Sequence, residues 1–189
     1  VRNATEVNEM KKFQATLPHF KKYSQKYSLD YLMMAGQGYQ ESRLDQSVKS
    51  PVGAIGIMQV VPSTAASAPV KIPNVQTEEN NIHAGARFMH FLIEDHFNEP
   101  ELDLRNRMLF AMAAYNAGPA KIARCRALAK EMGYDPNKWF NNVEVATAKV
   151  VGRETTQYVA NIYKYYVAYR MASGTLQRRQ QAEAKAGKK

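Results

Sequence analysis

The chain reads as an all-α domain. Three observations predict it: apolar residues recur at helical spacing over most of the length, the breaks coincide with Gly, Pro and capping residues, and no run alternates as a hairpin strand does. With 189 residues, 45% of them apolar and 23% charged, the sequence can bury a real core and is unlike disordered or fibrous chains. The most apolar run, Met108 to Tyr115, falls far short of the roughly 20 residues a membrane span needs.

Thr5 is placed to cap a first helix running to about Ala15, and Pro18 suits the first turn of a second reaching Tyr27. Asp30 caps the next, which carries Leu32, Met33, Gly36 and Tyr39 into Gln40, Glu41 and Ser42. Residues 43–62 lose this period and hold Gly53 and Gly56 between Pro51 and Pro62, which predicts an irregular loop on a helical scaffold, a common seat of function. Thr77 caps an amphipathic helix with Ile82, Ala86, Met89 and Ile93 on one face, expected at the surface. From Asp103 to Ala117 the pattern differs: Met108 to Tyr115 is apolar all round, as in a helix buried at the centre of a domain. Pro119 opens a helix that ends at Met132 and Gly133, and Asp135-Pro136 is expected to cap a short one containing Trp139. The last helix, about Arg153 to Ala172, offers Val159, Ile162, Tyr163, Tyr166 and Val167 as a core stripe. This divides the chain into an N-terminal helical segment (1–28), the main domain (29–172) and a basic, disordered tail (173–189).

The 26 basic and 17 acidic residues leave a charge of +9, which by itself is compatible with a polyanion partner. Six basic residues and one acid from Arg170 onward supply five of those nine charges, so a solvated tail explains most of the excess and no nucleic-acid partner is expected. Tyr163 and Tyr166 fall on the core stripe rather than on a stacking platform. The lone Cys125 excludes an internal disulfide and reads as packing. His83 and His90 share a helix face with Glu94 nearby, but no zinc-ligand spacing is present, so neither a metal nor another cofactor is expected. The first residue is Val1 with no signal-peptide pattern behind it, as expected of an excised or processed fragment.

Chemistry concentrates where Glu41 ends a helix and a Gly-punctuated loop follows. A carboxyl among apolar side chains loses solvation, its pKa rises, and it can hold a proton near neutrality as a general acid. By spacing alone a solvated helix-end carboxylate fits as well. Combination distinguishes them. Gln40-Glu41-Ser42, then Ser50-Pro-Val-Gly-Ala-Ile-Gly-Ile-Met-Gln59 with Pro62 and Thr64-Ala65, then Ala114-Tyr115-Asn116-Ala-Gly118, then Glu154-Thr-Thr-Gln-Tyr158-Val159 follow the order of the soluble-lytic-transglycosylase catalytic domain. The chain resembles that family, which shares the goose-type lysozyme fold, over roughly Leu29 to Tyr169. Asp135-Pro-Asn-Lys-Trp139-Phe140 and Ile162-Tyr-Lys-Tyr-Tyr166 resemble, more narrowly, the C-terminal module of the membrane-bound lytic murein transglycosylase F group.

The resemblance implies a lysozyme-like catalytic domain acting on peptidoglycan glycan strands, with Glu41 the sole acid and base. Ser50 and Gln59 then match polar positions lining sugar subsites, Tyr115 and Asn116 an aromatic and amide wall, and Tyr158 a tyrosine beside the carboxyl. Blander roles stay open: Tyr115 and Tyr158 as packing, Asn116 as a helix cap, Ser42 as helix termination. The reaction implied forms 1,6-anhydromuramyl ends. A goose-type hydrolase, a non-catalytic peptidoglycan-binding module and a basic nucleic-acid binder are the rivals. The resemblance further implies a solute-binding-like domain upstream and a periplasmic address with outer-membrane association.

Overall fold

Helix α5 (Leu104–Ala117) is the axis of the fold. Asp103 caps it by accepting from the Asn106 amide at 2.7 Å, and Met108 to Ala113 are without solvent exposure. A helix apolar on all sides is stable only when other helices enclose it, and α4 (Glu78–His96), α6 (Pro119–Glu131) and α8 (Arg153–Ala186) do so. The computed structural model describes residues 2–186, with side chains over 7–174. Helices α1 (Arg2–Lys26), α2 (Tyr31–Ser42), the single turn α3 (Pro62–Ala66) and α7 (Glu144–Val150) complete the described elements. Among the described residues there is no strand, only isolated antiparallel bridges joining Lys49 to Ile55 and Ile55 to Val60.

Asp30 and Thr77 cap α2 and α4 as expected, accepting from Leu32 and Met33 amides and from Asn80 respectively. Three expectations are corrected. The break at Pro18 does not occur, and Thr5 lies inside α1 rather than at its cap. Proline in a helix interior costs about 3 kcal/mol. Phe13, Phe20 and Tyr23 offset it by burying one face against α2 and α4, so this segment shares the core of the main domain. Helix α4 keeps a polar, solvent-facing side as expected, and its buried side is wider than the apolar stripe: Asn81, Ala84 and Gly85 are buried too, and the loop packs against Asn81 and Gly85. A Cβ at Gly85 would lie 2.7 Å from Met58.

Asp135-Pro136 does not start a helix. The Asp135 carboxylate instead closes a turn on the Asn137 amide, and Trp139–Val143 forms a wide turn in which Phe140 is extended and Asn141 is left-handed at φ 58°. Trp139 is fully buried, with its backbone N–H donating to Asn106 at 3.0 Å. Glu144 accepts from the Asn141 amide at the start of α7. Finally, α8 passes Gly174 and continues to Ala186, so most of the stretch expected as a disordered tail is helical backbone. Its Ala, Gln, Arg, Lys and Glu are strong helix formers with no proline among them. Residues 187–189 lie outside the described residues.

Helices α2 and α8 cross at backbone distance. A Cβ on Gly36 would lie 2.9 Å from the Ile162 carbonyl and 3.2 Å from the Tyr166 amide. Backbone cannot move aside as a side chain can, so Gly36→Ala is expected to lose about 1 to 3 kcal/mol of stability in urea unfolding, although alanine is the better helix former.

Candidate active site

Glu41 is the penultimate residue of α2, and the chain leaves the helix abruptly beyond it. Arg43 and Leu44 both take the left-handed conformation at φ 57°. The Arg43 amide returns to the Gly38 and Tyr39 carbonyls, which satisfies the helix end. Ser42 is buried: its hydroxyl donates to the Ile57 carbonyl at 3.0 Å and accepts from the Asp45 amide at 3.1 Å. It ends the helix and also pins the loop.

That loop, residues 43–61, is held by two amide side chains. Asn81 of α4 accepts from the Met58 amide at 2.7 Å and donates to the Ile55 and Val75 carbonyls. Gln46 accepts from the Ile57 amide and donates to Val75 and Gln76 carbonyls. Gly56, at φ 76°, lies against both, and any Cβ there would collide with them. Gly53, at φ 84°, turns the chain at the loop tip.

Glu41 is partly buried. The Tyr158 hydroxyl, from the second turn of α8, donates to its Oε1 at 2.5 Å. Loss of solvation pushes the Glu41 pKa up to about 7, and the Tyr158 bond pulls modestly the other way by stabilising the carboxylate. Tyr158 is itself buried, and Gln37 donates to its oxygen at 3.2 Å. Tyr115, in the last turn of α5, donates to the Met58 carbonyl at 2.8 Å and so ties the loop to the central helix. Burial first, and then the Glu41 charge, push the pKa of both tyrosines well above 10. Both are neutral hydrogen-bond donors at any physiological pH.

Two surface pockets adjoin these tyrosines. One of about 160 Å³ is lined by Gln59, Thr64, Phe88 and Tyr115. The other, about 230 Å³, is lined by Gln40, Asn116, Glu154, Gln157, Tyr158 and Asn161. Gln59 donates to the Val48 and Gly56 carbonyls, which holds it in the loop wall. Asn116 is exposed and accepts from the Thr155 hydroxyl at 2.7 Å. Ser50 lines neither pocket; its hydroxyl accepts from the Ala54 amide at 3.0 Å and shapes the turn. Of the six candidates, then, Tyr158 bonds Glu41 directly, Tyr115 feels the Glu41 charge while bonding the loop, Gln59 and Asn116 line the two pockets, and neither Glu41 nor Ser50 lines either pocket. Gln37, Gln46 and Asn81 were not singled out from sequence. The signal for Gln37 was its position one turn before Glu41, on the same helix face.

His83 shares a hydrogen bond with the Tyr27 hydroxyl and stacks on Tyr23, while burial lowers its pKa to about 4. Among the described residues no group of three or more His, Cys, Asp or Glu is placed to hold a metal ion, and no helix is long and apolar enough to cross a membrane.

The sequence matches the transglycosylase SLT domain family over residues 18–140, a span that stops short of α8 and Tyr158. The membrane-bound lytic murein transglycosylase F of Haemophilus influenzae is 33% identical over 172 residues, covering 82% of this chain and 35% of that protein. Its namesake from Pseudomonas fluorescens is 31% identical over 166 residues, covering 78% and 32%. This chain therefore spans about a third of the length of these relatives. Among solved structures, the 70 kDa soluble lytic transglycosylase of Escherichia coli matches with a TM-score of 0.61 at 28% identity, over 83% of this chain and 24% of that one. An inactive mutant of the Pseudomonas aeruginosa lytic transglycosylase Slt matches with a TM-score of 0.63 at 24% identity, with the same coverage, and supports the all-helical fold. On the family match over more than half its residues, the chain belongs to the transglycosylase SLT domain family.

Proposed function

We propose that this chain cleaves the β-1,4 bond between N-acetylmuramic acid and N-acetylglucosamine in peptidoglycan as a lytic transglycosylase, with Glu41 as acid and then as base. The observation that carries this is the Glu41 carboxyl, desolvated to a pKa of about 7 and bonded by Tyr158, whose side chain lines one of the two pockets. A carboxyl titrating there is present in both protonation states at neutral pH, as a group that must give and then recover a proton requires. Family membership and the names of the relatives supply the substrate class.

Glu41 protonates the glycosidic oxygen as its bond to C1 of the muramic acid breaks, and the substrate's own acetamido oxygen stabilises the charge developing at C1. The Glu41 carboxylate then takes the proton of the C6 hydroxyl as that oxygen bonds to C1. The products are a 1,6-anhydromuramyl end and a free glucosamine 4-hydroxyl, with no water consumed. Gln59 and Tyr115 on one side, and Asn116 and Tyr158 on the other, line the sugar path, with Ser50 shaping the wall. Asp45 is unsuited to a second catalytic role, since Ser47 and Lys12 hold its carboxylate at about 2. Glu154 is the exposed acid in the larger pocket and favours a hydrolase reading, in which it activates water. The relatives' names support a membrane-associated, periplasmic protein that acts on murein, and the share of their length this chain spans leaves room for a further domain; the outer-membrane address and the solute-binding-like character of an upstream domain rest on the family resemblance alone.

Mass spectrometry of digested, purified sacculi tests the reaction. Anhydromuramyl ends are expected, with activity reduced about 10²- to 10⁴-fold in Glu41→Gln and the same kind of ends retained in Glu154→Gln. Reducing ends from the native chain indicate a hydrolase instead.

The acid must be protonated in the free enzyme, so kcat/KM is expected to fall as pH rises through about 7. Removing the Tyr158 hydroxyl deletes the bond that stabilises the carboxylate, so Tyr158→Phe moves that alkaline limb to higher pH.

The same raised pKa governs stability. Folding disfavours the Glu41 carboxylate, so its contribution is intact below the ordinary carboxyl value of 4.5 and is lost as pH rises through about 7. Glu41→Gln is therefore expected to be more stable than the native chain at pH 8, by on the order of 2 to 3 kcal/mol, with the gap closing below pH 4.5 in urea unfolding.

A further inference from the structure

We propose that Gln37 is a positioning residue that fixes the direction of a hydrogen-bond chain ending on Glu41 Oε1. The inference rests on the lytic reading of Glu41 and deepens it. Gln37 lies four residues before Glu41 on α2, so both side chains issue from one helix face towards α8. It is completely buried, in a stretch where Met33, Met34, Ala35, Gly36 and Gly38 are buried too. Its Nε2 donates to the Tyr158 hydroxyl oxygen at 3.2 Å, and that hydroxyl donates to Glu41 Oε1 at 2.5 Å.

A phenol carries one proton, and with an open acceptor it can turn in more than one direction. Donation from the Gln37 amide fills that acceptor and leaves the proton pointing at Glu41. It also polarises the hydroxyl, which makes it a stronger donor to a carboxylate. Because Tyr158 engages Oε1, the other carboxyl oxygen is the one left to exchange a proton with substrate. The far end of Gln37 shows that the amide is not there for packing: its Oε1 is buried and finds no hydrogen-bond partner among the described residues. An amide that leaves one end unpaired in a helix–helix contact destabilises the fold. Its N–H, aimed at Tyr158, is the end with a use.

Gln37→Met keeps the length and volume of the side chain and removes the donor. The test follows the Glu41 carboxyl by ¹³C NMR titration, assigned through Glu41→Gln, alongside the pH profile of anhydromuramyl release from sacculi and thermal melting. Gln37→Met is expected to raise the Glu41 midpoint by about half a pH unit and to carry the alkaline limb of kcat/KM with it. KM stays unchanged, and Tm does not fall below that of the native chain. In a Tyr158→Phe background the same substitution adds nothing further, because the link to Glu41 is already cut. An unmoved midpoint in Gln37→Met overturns the proposal, and so does an undiminished shift in the Tyr158→Phe background. The titration does not need activity, so the two readings separate. A native chain without anhydromuramyl products but with the Gln37→Met shift overturns the lytic assignment alone, whereas an active chain with an unmoved midpoint overturns the role of Gln37 alone.

Discussion

The approach of α2 to α8 at Gly36 sets the distance over which Tyr158 reaches Glu41. Neither residue can be placed by its own helix. Glu41 stands at the end of α2, Tyr158 in the second turn of α8, and their contact at 2.5 Å exists because the helices cross where one of them lacks a side chain. Helix α5 then fixes the pair from a third direction, with Tyr115 bonded to the loop at Met58. Two helices distant in sequence thus meet at one carboxyl beside a loop that α5 holds, and the apolar all-round character of α5 is what lets the others pack about it.

What surrounds a carboxyl decides its chemistry, and the same chain supplies the contrast. Asp45 and Glu79 lie near solvent, each with a lysine and a hydroxyl at hand, and their pKa values drop to about 2. Glu41 has a hydroxyl partner and, among the described residues, no ion pair, so desolvation dominates and the value climbs to about 7. A lysine in place of Tyr158 would bond as well and yet leave the group permanently ionised. Neutral donors orient the carboxyl without stripping it of its proton, which is why tyrosine and amide side chains are the fitting neighbours.

Capping chemistry made α2 and α4 readable in the sequence, because Asp30 and Thr77 sit one residue before each helix begins. The central position of α5 was equally plain from its unbroken apolar run. Pro18 misled because local preference was weighed without the buried face of α1, and Gly174 misled because one glycine does not outweigh a following run of strong helix formers. In the site, Glu41, Tyr115 and Tyr158 were recognisable by the order of motifs rather than by any single pattern. Gln37, Gln46 and Asn81 were not. Each is a solitary amide whose partners are backbone groups or a hydroxyl far along the chain, and no periodicity marks such a residue.

The anchoring of the loop by Asn81 fixes when the cost of ordering that loop is met. Its backbone is fastened to an inward-facing residue of α4 rather than to solvent-side groups, so the wall cannot peel away while α4 stays in the core. The freedom a Gly-rich segment loses on ordering is therefore surrendered once, when the chain folds, and not again at every encounter with a strand. In the proposed lytic reading, a glycan strand would then meet a wall already in its final shape.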